Sequence, residues 1–410
     1  MSAGGKARRG RHRSDSACVG PRLGNASRRL PPSAYARSMS RNGRHRPALA
    51  ALLCLLLVAG CVGAATAPPP AGAGSATSWV SLPAVPLSAR TQAATVWTGR
   101  DLIVWGGQPS DSRGADLNVA ANRWSLLPPA PIAGRPGAVA AWTGRVMLIW
   151  GGRGATDGAS YNPAHRVWQR LPVGPLPALY RVAGWWDGSR LVIAGVGATT
   201  SRVLVAAYSP EQQRWQRLPT LVPAGRALVA RLWVTGAGRR LVAVAQVRRP
   251  PSALFGLELS ELRGGRWRGV ALPPSVRGLS PGDQPGKGPV WTGSELMFPP
   301  SSGDCDAVTC PPEYGAGAGW NPATGQWRPL PVTAPTLLAS FAVWTGSCVA
   351  VLALGSAACW TSATGHWSSF PAAPHGIVDD SLIWTGRRLV VFGADLYDHR
   401  SVASVISLRR

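Results

Sequence analysis

The sequence has few acidic residues and little that marks a common enzyme class. Asp and Glu together number 18 in 410 residues against 43 Lys and Arg, and there are six His. No P-loop or His-Glu-x-x-His pair occurs. The pattern Gly-x-Ser-x-Gly occurs as Gly278-Leu-Ser-Pro-Gly282, but Pro281 has no backbone N–H to give to an oxyanion hole. These features exclude the usual signatures of serine hydrolysis on an elbow, P-loop nucleotide chemistry and two-His zinc proteolysis.

A hydrophobic run long enough for a comfortable transmembrane helix, which needs ~20 residues, is also missing. The apolar run covers only residues 48–60 and follows a short basic segment that begins at Met39. This order is typical of a secretory signal, so we assign residues 39–60 to a signal peptide. Residues 1–38 are rich in Arg, Ser and Pro and are predicted to be disordered or an over-called start.

The signal ends in Val58-Ala-Gly-Cys61, which resembles the lipobox of bacterial lipoproteins. The resemblance implies that Cys61 is acylated, becomes the mature N-terminus and anchors the chain to the outer face of the bacterial membrane. Several acyl chains would hold it stably. The alternative is an ordinary signal peptide with a chance Cys. Residues 61–76 are rich in Ala, Pro, Gly and Thr and are predicted to form a flexible spacer.

The net charge of +25 is partly a property of the N-terminus, since residues 1–60 hold 12 of the 43 basic side chains and one of the 18 acidic ones. The remaining excess is nearly all Arg and is scattered along the chain. An exported chain seldom meets nucleic acid, so no nucleic-acid partner is predicted. A compositional preference for Arg is the simpler interpretation, and attraction to an anionic membrane or wall polymer is the alternative.

What the sequence does contain is a repeat. Trp-Thr-Gly, or a variant of it, precedes an apolar run that often ends in Gly-Gly, and a second motif close to Trp-x-x-Leu-Pro alternates with the first. The first motif is led by Trp97, Trp142, Trp186, Trp233, Trp291, Trp344 and Trp384, and the second by Trp79, Trp124, Trp168, Trp215, Trp267, Trp327 and Trp367. Each unit predicts four short strands in ~40–58 residues, which is the range of propeller blades.

The order Arg, Trp-x-Gly, apolar-Gly-Gly, Tyr-Asn-Pro and Trp-x-x-Leu-Pro resembles the kelch repeat over about residues 77–410. We therefore expect an all-β, seven-bladed kelch-type β-propeller in that range. The last unit runs out after Ser401–Leu408 without a second motif, and the spare copy is Trp79–Pro83. The N-terminal strand is thus predicted to complete the C-terminal blade and close the ring, which hides the sheet edges.

Trp is abundant, at 19 residues, and exposed Trp can stack on sugars. Because these Trp recur at fixed places in the unit, packing between blades is the preferred interpretation. The runs Leu102–Trp105, Val146–Trp150 and Leu389–Phe392 are predicted to be inner strands buried on both faces.

Four of the seven Cys remain after removal of the N-terminus and lipidation of Cys61. An even number in an exported chain favours disulfides. The four are Cys305, Cys310, Cys348 and Cys359, and we favour the local pairs Cys305–Cys310 and Cys348–Cys359 among three possible pairings. A zinc site is not predicted, because neither pair has Cys-x-x-Cys spacing or a His pair.

Two groups of residues are candidates for ligand binding. Arg90, Arg135 and Arg226 each lie seven residues before the Trp of their unit, so they could form an anion-binding ring near the axis. Structural hydrogen bonding between blades is the preferred alternative. The insertion 303–313 carries Asp304, Asp306 and Glu313, which could contact calcium or a partner, or could form a solvated loop.

The sequence therefore predicts a monomeric, membrane-anchored binding protein for an unknown protein or wall glycan, with no catalytic residue, metal or cofactor assigned. The rival class is a propeller enzyme with its site at the axis, either carbohydrate-active or a copper oxidase like galactose oxidase. The resemblance would require convergent His and Tyr ligands. His165 and His366 are predicted on a peripheral turn, and His375 and His399 in loops of the last blade.

Overall fold

The structure is a computed structural model, and it describes residues 78–108, 110–197, 201–225, 227–249, 255–277, 288–300, 317–330, 339–353, 356–374, 377–395 and 400–408. These residues form 28 β-strands and one helical turn, α1 (Pro274–Arg277). All of them belong to one compact unit, Pro69–Arg410. The strands make seven four-stranded sheets, so the prediction of an all-β, seven-bladed propeller is confirmed.

The blades are numbered along the chain, and strands within a blade follow one another. Blade 1 comprises β2 (Ala94–Trp97), β3 (Asp101–Trp105), β4 (Gly114–Asn118) and β5 (Arg123–Leu126); blade 2 comprises β6 (Val139–Trp142), β7 (Met147–Trp150), β8 (Gly158–Asn162) and β9 (Val167–Arg170); blade 3 comprises β10 (Leu179–Trp186), β11 (Leu191–Gly197), β12 (Val203–Ser209) and β13 (Arg214–Leu221).

Blades 4 to 7 repeat the arrangement. Blade 4 comprises β14 (Leu228–Ala237), β15 (Arg240–Arg248), β16 (Phe255–Arg263) and β17 (Arg266–Val270); blade 5 comprises β18 (Val290–Trp291), β19 (Leu296–Phe298), β20 (Ala318–Trp320) and β21 (Trp327–Pro329); blade 6 comprises β22 (Ala339–Trp344), β23 (Val349–Ala353), β24 (Ser356–Thr361) and β25 (His366–Phe370); blade 7 comprises β26 (Ile377–Trp384), β27 (Arg388–Asp395), β28 (Ser401–Ser407) and β1 (Val80–Ser81).

The first strand of each blade is the innermost one. First strands of successive blades contact one another from β2 round to β26. Between the last blade and the first, the Oγ1 of Thr95 on β2 lies 2.6 Å from the Oγ of Ser381 on β26. The seven first strands therefore surround one axis.

The fourth strand of blade 7 comes from the N-terminal end of the described chain. Val80 pairs with Val405 and Ser81 with Ser404 in an antiparallel ladder. The backbone N–H of Leu82 also donates to the carbonyl oxygen of Ala403 at 2.9 Å. The spare motif copy at Trp79 thus lies beside the third strand of the last blade.

The apolar runs lie where both faces of a strand are covered. Every residue of β3 and of β7 is buried, and these are second strands, one place outward from the axis. Leu102 and Val104 pack with Val390 and Phe392 of blade 7 in one apolar cluster. Burial between neighbouring blades supplies the driving force for the ring, since each sheet covers the next.

The Trp-Thr-Gly motif forms a tight hairpin between the first and second strands of a blade. The two loop residues of the first hairpin are Gly99 and Arg100, because Thr98 still pairs with Asp101 through a backbone bond of 3.0 Å. The Thr98 hydroxyl accepts the N–H of Asp101 at 2.8 Å. Gly99 has a φ of 95°, which a residue with a Cβ rarely adopts.

The Thr of this motif is a repeated structural device. In six blades a side-chain oxygen at this place accepts the backbone N–H three residues later, at 2.6–3.1 Å; the acceptors are Thr98, Asp187, Thr143, Thr292, Thr345 and Thr385. The carboxylate of Asp187 replaces the hydroxyl in blade 3. The motif therefore stabilises the turn, as local side-chain acceptors commonly do.

Candidate functional site

The two ends of the propeller differ in the length of their connections. One end carries the hairpins from strand 1 to 2 and from strand 3 to 4 of each blade, such as 98–100 and 119–122, and we call it the lower face. The other end carries the connections from strand 2 to 3 and from each blade to the next, and we call it the upper face. These connections reach 299–317 in blade 5 and 271–289 between blades 4 and 5. The longest of these connections therefore join strands at their upper-face ends.

An axial cavity of about 660 Å³ opens among the first strands of blades 1 to 4 and blade 7. Its wall is made of small or apolar residues and two hydroxyls; they are Ala94, Thr95, Val139, Ala140, Ala183, Gly184, Leu232, Val234 and Ser381. The volume falls within the ~300–1,000 Å³ that is usual for small-ligand sites. The cavity is therefore large enough for a small ligand or a short stretch of polymer.

The rim of this cavity on the upper face is polar and carries cations. Arg153 follows the Gly151-Gly152 pair of blade 2, and Tyr180 and Arg181 lie at the beginning of β10 in blade 3. Both Arg are exposed, and 45% of Tyr180 is accessible. Neither guanidinium has a side-chain partner among the described residues.

The backbone fixes the positions of these rim residues. The turn that holds Arg153 is joined to β10 by a hydrogen bond of 3.2 Å from the N–H of Gly154 to the carbonyl of Leu179. A Cβ placed at Gly154 would lie 3.5 Å from the Tyr180 hydroxyl. The pairing of β10 with β11 shifts between Tyr180 and Ala183, so Arg181 belongs to a bulge. Bulges are frequent beside functional sites, where they redirect a side chain.

On blade 1 the rim is completed by two amide side chains. The backbone of Gln108 pairs with Thr91 through bonds of 2.8 and 3.1 Å, and the carbonyl of Gln92 accepts the N–H of Gly137 in blade 2 at 2.9 Å. Both Gln side chains line the cavity. Amides both donate and accept, so this part of the rim suits hydroxyl-bearing ligands.

Left-handed backbone conformations at residues other than glycine mark the same rim. The described chain has six, and three of them line the cavity, namely Gln92 (φ 53°), Arg153 (φ 43°) and Arg181 (φ 49°). The other three, Asn122, Arg166 and Gln213, lie in strand 3 to 4 hairpins of the lower face. Such conformations cost energy and cluster where a side chain must be held in place.

The two described members of the predicted anion-binding ring, Arg90 and Arg135, make internal hydrogen bonds. Arg90 is 1% exposed and its guanidinium donates to the carbonyls of Ser88, Gly106 and Arg113 at 3.0–3.2 Å. It also lies 3.5 Å from a carboxylate oxygen of Asp111. Its donors therefore hold the connection between β3 and β4 of its own blade, rather than facing a ligand.

Arg135 repeats this arrangement in blade 2. It is 7% exposed, donates from Nε to the carbonyl of Ala133 at 2.8 Å, and pairs with Asp157. Its carbonyl accepts the N–H of Gly107 in blade 1 at 3.1 Å. The side chain thus acts within its blade while its backbone links two blades. The third predicted member, Arg226, lies outside the described residues.

The carboxylates that face these Arg have lowered pKa values. For Asp157 the hydrogen bond from Arg135 is the largest cause, and it outweighs the opposing effect of burial. For Asp111 burial acts to raise the pKa, and hydrogen bonds from Arg113 with the charges of Arg113 and Arg90 lower it below the ordinary value. Both carboxylates are therefore stabilised in their charged form.

The Cys348–Cys359 disulfide is present, with a Cα–Cα distance of 5.6 Å, so this prediction is confirmed. It joins β24 to the residue that precedes β23, across one hairpin of blade 6. Cys61, Cys305 and Cys310 lie outside the described residues, as do Asp304, Asp306 and Glu313. Their assigned roles stay predictions.

The described His residues are far from the rim. His165 is exposed in the hairpin between β8 and β9, and His366 begins β25; both hairpins belong to the lower face. Within the described ranges no three His, Cys, Asp or Glu side chains form a cluster that could hold a metal ion. In the same part of the chain no helix has the length and apolarity needed to cross a membrane.

Most described Trp are packing residues, as the repeat predicts. The indoles of Trp105 and Trp150 are fully buried and lie 6.1 and 5.9 Å from those of Trp168 and Trp215 in the next blade. The exposed aromatic at the cavity is Tyr180 instead. Reasoning from sequence missed it, because Tyr180, Arg181 and Arg153 belong to no repeated motif.

Comparison with known proteins supports the fold and goes no further. No model of a protein family matches the chain, and no curated protein matches it in sequence. A solved structure of U3-55K superposes with a TM-score of 0.52 at 13% identity, over 80% of this chain and 98% of that one. A structure of YjhT gives a TM-score of 0.47 at 14% identity, over 80% and 97% of the two chains. At such low identity the likeness concerns the fold alone.

Proposed function

We propose that this chain is an extracytoplasmic lipoprotein whose kelch-type propeller binds a protein or a cell-wall glycan through its upper face. One observation carries the proposal. The rim of the axial cavity carries the exposed side chains of Arg153, Tyr180 and Arg181 on the same face as the long connections, whereas the lower face is built from repeated tight turns. Surface cations held by a rigid frame favour a binding role.

The binding part of the proposal is tested by crosslinking on intact cells. A photo-reactive residue is placed at Gln108 on the upper face and, as the matched control, at Asn122 on the lower face; both positions are exposed. We expect adducts of defined mass from position 108 and none from position 122. Equal adduct patterns from the two positions, or none from either, would contradict the proposed binding face.

The anchor is supported by the basic segment, the short apolar run and Cys61. If Cys61 is acylated, Cys61→Ala will move the protein from the membrane to the soluble fraction, because the variant carries no acyl chains that can enter the bilayer. Mass spectrometry of the wild-type N-terminal peptide is the direct measurement. An unmodified peptide spanning Cys61 in a protein that still fractionates with membranes would refute the lipid.

A further inference from the structure

The exposed cations of the rim narrow the class of ligand. Arg153 and Arg181 line the cavity, and both are exposed. They belong to the consecutive blades 2 and 3, so they occupy one sector of the rim. Neighbouring cations on a concave surface attract anions.

The bulge that holds Arg181 recurs in other blades. The pairing of the first strand with the second also shifts in blade 4, between Val229 and Arg231, and in blade 7, between Val378 and Ser381. The bulge of blade 4 contains Ala230, so the cation at this place in blade 3 is not a consequence of the repeat.

The other rim groups are those that recognise sugars. Tyr180 offers an accessible ring beside Arg181, and a ring face can pack against the C–H groups of a sugar. Gln92 and Gln108 supply amides, and Thr95 with Ser381 supplies hydroxyls within the cavity. An acidic peptide would use the Arg side chains but would leave the amides and the ring without a matching partner.

We propose that the axial cavity binds an anionic glycan, with Arg153 and Arg181 pairing with its carboxylate or phosphate groups and Tyr180 packing against a sugar ring. This inference rests on the proposed function and specifies its ligand. Arginine pairs with a carboxylate or a phosphate through two parallel hydrogen bonds, so the same side chains would recognise a uronate glycan or a phosphate-bearing glycan. The experiment below decides which of the two glycans binds.

The test uses the full chain purified in detergent and four immobilised probes. They are polygalacturonate (a uronate polymer), phosphomannan (a phosphate-bearing glycan), mannan (neutral) and poly-glutamate (an acidic peptide). The wild type is expected to bind polygalacturonate or phosphomannan at least tenfold more tightly than mannan and poly-glutamate. The affinity should fall as salt rises, because the contact is an ion pair.

The variants are chosen to preserve the fold. Arg153→Asn and Arg181→Asn remove the charges while Asn tolerates the left-handed backbone at both positions. Together they should weaken binding of the anionic glycan by about tenfold or more, since each lost charge-assisted bond is strong. The matched control is Arg166→Asn, an exposed left-handed Arg on the lower face, which should bind like the wild type. Thermal unfolding of each variant verifies the fold.

Each remaining outcome has one meaning. Equal binding of poly-glutamate overturns the glycan assignment, and unchanged binding by the double variant overturns the site. Suppose that the protein binds mannan, that Tyr180→Ala abolishes this binding and that the Arg variants leave it intact. The assignment of an anionic ligand is then wrong, and the binding function stands. If no probe binds but position 108 still forms adducts on cells, the ligand class is wrong and the function stands. If no probe binds and no adducts form, both fail.

Discussion

The indole N–H of Trp79 donates to the carbonyl oxygen of Pro371 at 2.8 Å, although the two residues are 292 positions apart. The same contact recurs between neighbouring blades, where Trp124, Trp168, Trp215 and Trp267 donate to Pro83, Pro128, Pro172 and Pro219 at 2.7–3.0 Å. In each case the outer-strand Trp of one blade bonds to the Pro that ends the preceding motif copy. The contact of Trp79 therefore joins blade 7 to blade 6, and the contact of Trp124 with Pro83 joins the first blade to the last.

We expect Trp79→Phe to lower the free energy of unfolding by about 1 kcal/mol, because the ring stays packed and one partly buried hydrogen bond is lost. Trp168→Phe, which loses the equivalent bond inside the ring, serves as the matched control and should cost a similar amount. Urea unfolding followed by Trp fluorescence measures both.

Deletion of 78–83 should have a different effect from either point variant. It removes β1 and exposes the edge of β28, so the whole transition should shift to lower temperature rather than one end fraying. Calorimetry on the deletion variant provides the measurement. A melting curve that coincides with that of the full chain would contradict a structural role for β1.

Replacement of Arg90 by Met should destabilise the fold by about 3–5 kcal/mol, because it leaves buried acceptors and the Asp111 carboxylate without their donor. The control is Arg100→Met, whose side chain is 77% exposed in its pair with Asp101, and which should change stability by less than about 1 kcal/mol. Chemical denaturation of the two variants gives the comparison. Similar values for both would show that Arg90 is not needed within its blade.

The pH dependence of stability should have opposite signs at two carboxylates. The pKa of Asp157 is lowered by its hydrogen bond from Arg135, so its contribution is complete above the ordinary Asp value of about 4 and is lost as pH falls through the lowered pKa. The stability difference between wild type and Asp157→Asn should therefore shrink on acidification.

Burial raises the pKa of Asp116, so the folded state binds its proton more readily than the unfolded state does. Asp116→Asn should stabilise the protein most at neutral pH, and the gain should disappear as pH falls below the raised pKa. Unfolding midpoints between pH 3 and 7 test both variants, and slopes of the same sign would contradict the assignment.

Loss of the Cys348–Cys359 disulfide should cost about 2–3 kcal/mol, since it closes a loop of 11 residues. The melting temperature of the wild type should fall when a reductant is added. The variant with Cys348→Ser and Cys359→Ser should start from the lower value, and any reductant sensitivity left in it would report the predicted Cys305–Cys310 pair.

The number of blades could be read from the sequence because each blade repeats two Trp motifs with a fixed role. Trp97 and Trp124 mark the first and fourth strands, and the pairing of Leu102 with both Trp97 and Leu117 follows from one hairpin and one buried run. Blades 5 and 6 lack the Gly-Gly pair, yet each has four strands, because the outer Trp and the inner apolar runs still pack.

The candidate site could not be read in the same way. The spacing predicted Arg90 and Arg135 near the axis. Their ion pairs depend on Asp111 and Asp157, which lie in the connection from the second to the third strand of each blade. Arg181 lines the cavity where β10 changes register, and a register shift has no signature in composition or period. The rim residues Arg153, Tyr180 and Arg181 also belong to no repeated motif.

The position of β1 has a consequence for the proposed lipid anchor. As the fourth strand from the axis it lies about 14 Å outward from the first strand of its blade, at the usual spacing of paired strands. Any tether that continues from residue 78 toward the N-terminus therefore leaves the propeller at its circumference. If the proposed anchor is present, it is joined to the propeller beside the fourth strand of blade 7 and not at a strand that lines the axial cavity.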